Sequence, residues 1–320
     1  MVTDPFVDVL AAEIEGTVLA DEPLARHTTL RVGGPAAALV RAETPRDLVA
    51  ISRICAESDR PWLILGRGSN LLVADAGWPG VVVTLGRGFR GVEVEGGADD
   101  RPLGAPVLVT AGAAEPMPVL AQAVARRCMG GLAFGVAIPG SLGGAVRMNA
   151  GAHGHELSEV LVHAEVLRLD TGSGVDRLRA EDLRMRYRHT ALPADAVVVR
   201  ATLRLRRADP EGLAADMAEM RQWRRSNQPI NEPSCGSVFR NPHGDSAGRL
   251  IESAGMKRHR VGGAAVSAVH ANFITVAAGA RADDVRAVIR DVRRAVLATH
   301  GVRLDTEVVL AGFEPTADAE

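Results

Sequence analysis

The amino-acid sequence predicts an α+β fold in more than one domain. Helical and strand periodicities alternate through the first third, two glycine-rich stretches follow predicted strand or helix ends, and a helix-and-strand pattern resumes in the last third behind a proline-punctuated break. At 320 residues, 47% of them apolar, the chain can fill substantial cores.

The elements follow in order. Thr44 and Pro45 read as the cap and first residue of a helix that carries Leu48, Ile51, Ile54 and Cys55 on one face. WLILG at 62–66 and VVVTL at 81–85 read as short buried strands, with GRGSN at 66–70 between them. Residues 91–106 read as a charged, glycine-rich hairpin or loop, 107–112 as a strand and 118–129 as a helix. Strands return at about 160–169 and at 197–205, where Val197, Val199, Ala201, Leu203 and Leu205 alternate with Arg200, Thr202 and Arg204 in the period of a half-exposed strand. A helix near 212–225 leads into QPINEP, a plausible boundary. Asp245 reads as the cap of a short helix with Leu250 and Ile251 inward and Gly255 at its end. The strongest helix signal is 283–299, where Val285, Val288, Ile289, Val292 and Val296 form one stripe and Gly301 ends it.

Composition excludes several function classes. The formal net charge is −2, so no global basic field recruits nucleic acid or an anionic membrane. The first residues carry acids and no basic apolar signal, and no apolar run is long enough to span a bilayer, so the expected location is the cytoplasm. Lys257 is the only lysine, which leaves Schiff-base chemistry to a single residue. Cys55, Cys128 and Cys235 have no metal-like spacing and read as free thiols, Cys235 being of interest for its neighbours. His153, His155, Glu156 and Glu159 resemble a fragment of a zinc helix, but Glu159 stands where a second histidine is needed; they read as solvated or ligand-side polar groups, with no metal.

The glycine loops carry the chemistry. In GRGSN, glycines at 66 and 68 permit positive φ and close approach, and successive N–H groups in such a turn can form an anion nest; an ordinary tight turn is the other reading. Leu71 stands in the wrong place for a dinucleotide fingerprint, and no glycine run leads into a Walker lysine. In AFGVAIPGSLGGAVRMNAGAHG, 133–154, glycines mix with Ile138, Leu142, Val146 and Met148, a composition suited to wrapping a large flat cofactor that bears a pyrophosphate, or to a simple bend between strands.

Taken together, LRVGGPA (30–36), GRGSNLL (66–72), IPGSLGGAVRMNAGAHG (138–154), MRYRHT (185–190), CGSVFRNP (235–242), RVGGAAVSAVHANFI (260–274) and RLDTEV (303–308) resemble the UDP-N-acetylenolpyruvoylglucosamine reductases, in order and over nearly the whole chain. The resemblance implies an FAD-binding fold of the vanillyl-alcohol oxidase type: subdomain 1 at 1–88 joined by 303–320, subdomain 2 at 89–210, and a third α+β domain at 211–302 for the nucleotide sugar. It implies non-covalent FAD held at Gly66, Arg67, Gly68, Ser69, Asn70, Ile138, Pro139, Gly140, Ser141, Gly143, Gly144, Asn149 and Gly151. NADPH would be the co-substrate and UDP-N-acetylglucosamine enolpyruvate the substrate, reduced to UDP-N-acetylmuramate for peptidoglycan synthesis by a cytoplasmic enzyme expected to be a monomer.

Residue by residue, the resemblance makes Ser237 the proton donor, Arg188 the contact of the substrate carboxylate and developing enolate, and Glu307, expected on a strand, the group that completes the site with a raised pKa or a proton-shuttling role. Asn241 and Arg249 would contact substrate, the latter through the UDP diphosphate, and Tyr187 would pack beside them. Ala137, Arg147 and His153 depart from the commoner family pattern and put flavin-side packing in question. The short spacing from Arg188 to Ser237 is similar to the compact subgroup that lacks the lid-loop tyrosine. An oxidase of the same fold, with His153 as a tether, and an inactive nucleotide-sugar-binding paralogue are the alternatives.

Overall fold

The computed structural model describes residues 4–168 and 174–314, so the expected strand end at 169 and the tail at 315–320 lie outside the described residues. The chain packs as two compact units, one of Met1–Leu19, Leu39–Gly66 and Val81–Arg224, the other of Ala20–Ala38, Arg67–Gly80 and Arg225–Glu320. In chain order the elements are α1 (Pro5–Glu13), β1 (Thr17–Pro23), β2 (Pro35–Ala42), α2 (Pro45–Glu57), β3 (Trp62–Ile64), β4 (Leu71–Val73), β5 (Trp78–Leu85), β6 (Val92–Val94), β7 (Pro106–Gly112), α3 (Met117–Arg126), β8 (Met129–Gly130) and α4 (Leu142–Met148). They continue with β9 (Gly151–Ala152), β10 (His155–Glu156), β11 (Leu161–Arg168), β12 (Val175–Arg179), β13 (Ala196–Arg207), α5 (Pro210–Asn227), β14 (Ser234–Ser237), α6 (Ala247–Ser253), β15 (Arg260–Val261), β16 (Ala264–Val266), β17 (Phe273–Val276), α7 (Ala282–His300) and β18 (Val309–Ala311). The α+β class is as the periodicities required.

In the first unit, α2 begins where Thr44 and Pro45 placed it. The Thr44 hydroxyl accepts from Asp47 N, and the buried Asp47 carboxylate takes N–H bonds from Thr44, Glu43 and Glu15, so one acid satisfies both the helix start and the incoming chain. β3 and β5 pair in parallel, Leu63 opposite Val82. The larger sheet runs β12-β11-β13-β7-β6, with β8 on the end of β13. β13 was expected to be half exposed, yet Val197, Val198, Val199, Ala201 and Thr202 are all buried. The reason is position: β13 is central, paired along its length with β11 and β7, and only its end at Arg204 and Arg206 keeps an open face. Thr202 is accommodated because its hydroxyl lies 2.8 Å from that of Thr110 on β7. The core between this sheet, α3 and α4 is mostly aliphatic, built from Val107, Val109, Leu120, Leu142, Val146 and Leu203 with Phe134 among them.

In the second unit, the sheet order is β14-β17-β16-β15, and α7 packs its expected stripe, Val285, Val288, Ile289, Val292 and Val296, against Ile274, Val266 and Ala264. Gly301 ends α7 at φ 67°. Its start is held by the Asp284 carboxylate, which accepts from Arg281 N and Gly263 N and so sits below the usual carboxylate range, the Gly263 bond being the largest cause. α6 forms as expected except for its cap: the Ser246 hydroxyl accepts from Arg249 N, while Asp245 faces the Arg249 guanidinium instead. β18 pairs in parallel with β4, Leu310 opposite Leu72, which ties the C-terminal segment to the strand after GRGSN.

Candidate active site

The site residues are presented in two sets, one on each unit. In the first unit, the second glycine run is not an open loop, because Leu142–Met148 form α4 and Ser141 caps it, its hydroxyl accepting from Gly144 N at 3.4 Å. Leu142 N and Gly143 N donate to the Glu115 and Ala113 carbonyls at 2.8 and 2.9 Å. The first-turn N–H groups of α4 are therefore spent inside the chain, and glycine serves here by omitting a side chain: a Cβ on Gly143 would lie 3.1 Å from Ala113 Cβ. Gly66 approaches the same cap, since a Cβ on it would lie 2.8 Å from Ser141 Oγ. Ile138 is buried, the Gly140 carbonyl accepts from Met117 N, and Pro139 lies between them.

Past α4 the chain turns at Asn149, which is fully buried with φ 42°. Its side-chain N–H groups donate to Glu156 Oε2 at 2.8 Å and to the Arg186 carbonyl at 3.0 Å, and its Oδ1 accepts from Ser158 N. β9 and β10 then form a tight hairpin through His153 and Gly154, both at positive φ, the pattern of a type I′ turn. The His153 ring meets Trp223 edge-on at 5.2 Å, and His155 Nδ1 lies 2.8 Å from Glu159. Among the described residues no three His, Cys, Asp or Glu side chains group as metal ligands.

Arg188 stands across from this hairpin. Arg186 and His189 exchange backbone bonds of 2.9 Å around Tyr187 and Arg188, and Arg188 takes φ 53°, a conformation that favours glycine. Holding an arginine there costs about 1–3 kcal/mol, a strain that concentrates at functional sites. Its Nη2 donates to the Gly151 carbonyl at 3.0 Å, Nη1 lies 3.9 Å from Glu156 Oε1, and the guanidinium lies 4.9 Å from the centre of the exposed Tyr187 ring. Arg147, one of the departures, is half-buried and donates to the carbonyls of Leu192, Pro193 and Ala196; desolvation lowers its pKa.

In the second unit, Ser237 ends β14 opposite Phe273, beyond an irregularity in register at which Gly236 takes φ 76°. This bulge turns the serine out of the regular alternation. A Cβ on Gly236 would lie 3.9 Å from the Ser69 carbonyl, so the loop at 67–70 runs beside Ser237. Gly68, at φ 62°, presses against the chain at His27 and Thr28, and its carbonyl accepts from Thr29 N and Oγ1. Asn70 Nδ2 donates to the Glu307 carbonyl at 3.0 Å, Glu307 N donates to the Val238 carbonyl at 2.8 Å, and Thr306 bridges Phe239. Ser69, Asn70, Ser237 and Glu307 are thus brought together. Glu307 lies in an extended segment two residues before β18, not on the expected strand.

One residue of this set was not singled out from sequence. Asn272, buried, accepts from Phe239 N through Oδ1 at 2.9 Å and donates to the Phe239 carbonyl through Nδ2 at 2.8 Å, while its own carbonyl accepts from Val238 N. It clamps the chain just downstream of Ser237, and only its place in HANFI could have pointed to it. Cys235 is buried, and burial pushes its thiol up to about 12, so it is a packing residue. Asn241 Oδ1 accepts from Ala247 N at the start of α6, and Arg249 is exposed against Asp245, whose pKa falls to about 2 chiefly through that bond.

Residues 36–176 match the model of an FAD binding domain, and residues 228–311 match that of the UDP-N-acetylenolpyruvoylglucosamine reductase C-terminal domain. The chain is 41% identical over 302 residues to the UDP-N-acetylenolpyruvoylglucosamine reductase of Bacillus velezensis, covering 93% of this chain and 95% of that one. It is 44% identical over 305 residues to the enzyme of that name from Heliobacterium modesticaldum, covering 95% and 93%. Among solved structures it is similar to the UDP-N-acetylenolpyruvylglucosamine reductase of Thermus caldophilus, with a TM-score of 0.76, 34% identity, and 93% and 99% of the two chains covered.

Proposed function

Because the chain belongs to the UDP-N-acetylenolpyruvoylglucosamine reductase family, it is an FAD-dependent UDP-N-acetylmuramate dehydrogenase of peptidoglycan synthesis, and we propose that Ser237, Arg188 and Glu307 carry its reaction. The fold is the FAD-binding fold of the vanillyl-alcohol oxidase type. Within it we assign 1–88 with 303–320, 89–210 and 211–302 to two flavin-binding subdomains and a substrate domain. FAD suits the glycine positions on one structural ground: Gly66 meets the Ser141 cap too closely for any side chain, which leaves backbone for a cofactor to approach. Gly68, Ser69, Asn70, Ile138, Pro139, Gly140, Ser141, Gly143, Gly144 and Gly151, with Arg67, are assigned to holding it, and Asn149 to fixing the chain between α4 and β9. When bound, FAD carries the hydride from NADPH to the enolpyruvyl group.

The chain's own residues manage the charge and the proton. Hydride addition to the vinyl carbon leaves negative charge on the neighbouring carbon and its carboxylate, and the planar, permanently charged fork of Arg188 suits that carboxylate bidentately. The Ser237 hydroxyl, aimed by the Gly236 bulge, donates its proton to the carbanion, a step of general acid catalysis worth about 10²–10⁴-fold. Glu307, backed by Asn70 and Val238 through its main chain, orients or resupplies that proton. Asn241 and Arg249 are assigned to the nucleotide sugar, with Tyr187 packing beside Arg188. Among the described residues no helix is long and apolar enough to cross a membrane. We place the enzyme in the cytoplasm, acting as a monomer.

The observation that most supports these roles is a conformation: Arg188 occupies a strained turn, and Ser237 follows a glycine bulge. An anaerobic titration of Ser237→Ala tests it. NADPH should bleach the flavin as in the parent, while UDP-N-acetylglucosamine enolpyruvate should restore its colour about 10²–10⁴-fold more slowly. Equal losses in both half-reactions would assign Ser237 to folding.

A further inference from the structure

We infer that Glu156 is the positioning residue of Arg188, held in place for that task by Asn149. The inference rests on the assignment of Arg188 to the substrate carboxylate. Arg188 projects from a two-residue turn at positive φ, where no ladder of backbone bonds on either side sets the direction of a long side chain. Its guanidinium is located by the Gly151 carbonyl on Nη2 and by Glu156 facing Nη1, both on the β9-β10 hairpin.

Glu156 is itself immobilised. One carboxylate oxygen accepts from Asn149 Nδ2 at 2.8 Å, and the backbone N–H of Glu156 donates to Glu159 Oε1 at 2.9 Å, which fixes the main chain that carries it. Asn149 spends its other groups on the Arg186 carbonyl and on Ser158 N, so a single fully buried amide ties the Arg188 turn to the carboxylate that faces it. The separation matters as well. At 3.9 Å the Glu156 carboxylate attracts the guanidinium without taking an N–H bond from it, and both side chains are mostly shielded, 19% and 29% exposed, so the attraction is only partly screened. Gly151 completes the arrangement, because a Cβ there would lie 2.9 Å from Glu156 Cγ and 3.3 Å from Arg188 Nη1. The carboxylate thus acts through Arg188 and touches no reacting atom.

The test is a double-mutant cycle on the holoenzyme, read in the two half-reactions. Glu156→Gln keeps the shape and an oxygen acceptor for Asn149 but removes the charge. We expect bleaching by NADPH at the parent rate, a rise in KM for UDP-N-acetylglucosamine enolpyruvate with a smaller fall in kcat, and a total loss in kcat/KM of up to about 100-fold, the scale of an ångström-level misplacement. Glu156→Asp, which retains the charge, should recover part of that loss. In an Arg188→Ala background Glu156→Gln should add nothing. An unchanged KM in Glu156→Gln, or a loss that adds in full to that of Arg188→Ala, overturns the inference. If Glu156→Gln sheds its flavin, Glu156→Asp decides: a KM raised as far as in Arg188→Ala would mean that charge is not what positions the guanidinium. An Arg188→Ala enzyme with normal reoxidation would overturn the Arg188 assignment itself, which is a separate result.

Discussion

Truncating Asn272 to alanine should destabilise the second unit and loosen the strand that carries Ser237. Asn272 makes two side-chain bonds to one residue, and Phe239 is 1% exposed, so neither its N–H nor its carbonyl can turn to bulk water instead. A buried backbone group left without a partner costs about 1–3 kcal/mol, and the polar void left by the side chain can admit a water that recovers part of it, so about 3 kcal/mol is expected for the pair. At roughly 2–4 °C per kcal/mol for a protein domain of this order, the thermal midpoint should fall by about 6–12 °C. The assay is a urea midpoint followed by circular dichroism, with thermal unfolding beside it. A change within about 0.5 kcal/mol, the range of ordinary surface substitutions, would refute the claim that the clamp matters. Asn272→Asp sharpens the test through its sign with pH. The ionised side chain would face the Phe239 carbonyl without a proton to donate, whereas the protonated acid reproduces both bonds, so its folded-state pKa is raised above the unfolded value of about 3.9. Its stabilising contribution is therefore complete below about pH 4 and is lost as pH rises through the folded pKa. An Asn272→Asp variant no weaker at pH 8 than at pH 5, relative to the parent, would contradict that arrangement.

Three further outcomes follow from the geometry. Gly66→Ala should lower the flavin content of the purified protein, measured as the ratio of flavin to protein absorbance, since the new Cβ would lie 2.8 Å from Ser141 Oγ; full flavin in the variant would deny that close approach. Burial pushes Cys235 up to about 12 and Cys55 up to about 11, so in the native protein iodoacetamide at pH 8 should label only the half-buried Cys128, with all three thiols labelled in urea; early labelling of Cys235 would show that its strand opens readily. Arg147→Met should cost about 2–4 kcal/mol of stability by leaving the Leu192, Pro193 and Ala196 carbonyls without their donor, and Arg147→Lys should recover only part because an ammonium cannot span the same three oxygens; a neutral Arg147→Met would remove the structural role assigned to it.

The parts of the fold that were legible in the sequence are those whose cause is local. The α2 cap at Thr44 and the α7 stripe ending at Gly301 depend on residues within one or two turns of each other, and both stand where periodicity placed them. Where neighbours distant in sequence decide, the reading shifted. β13 lost its expected open face because β7 and β11 flank it, and α4 was hidden inside a run whose glycines look like a loop, its first turn being held by the Ala113 and Glu115 carbonyls. The α6 cap differs by one residue because the Asp245 carboxylate has a stronger partner in the Arg249 guanidinium than in a backbone N–H, leaving the adjacent Ser246 hydroxyl to serve the helix.

The site divides along the same line. Glycine runs and motif order marked the segments assigned to it, but the residues proposed to orient the assigned reactive groups carry no motif of their own. Glu156 and Asn149 are seven positions apart and could have been an exposed acid and a turn residue; what gives them a role is the meeting of both with the turn at 186–189. Asn272 acts on Phe239, just past β14 and 33 positions earlier, and Asn70 on the main chain of Glu307, 237 positions away. A side chain that holds another in place is chosen by geometry alone, since its chemistry is an ordinary amide or carboxylate found all over the surface. The strained φ of Arg188 fits the role proposed for it: a glycine would fit that turn without strain, but the arginine there meets both the Gly151 carbonyl and the Glu156 carboxylate, and the proposed contact with the substrate carboxylate calls for a guanidinium whose direction is set before the substrate arrives.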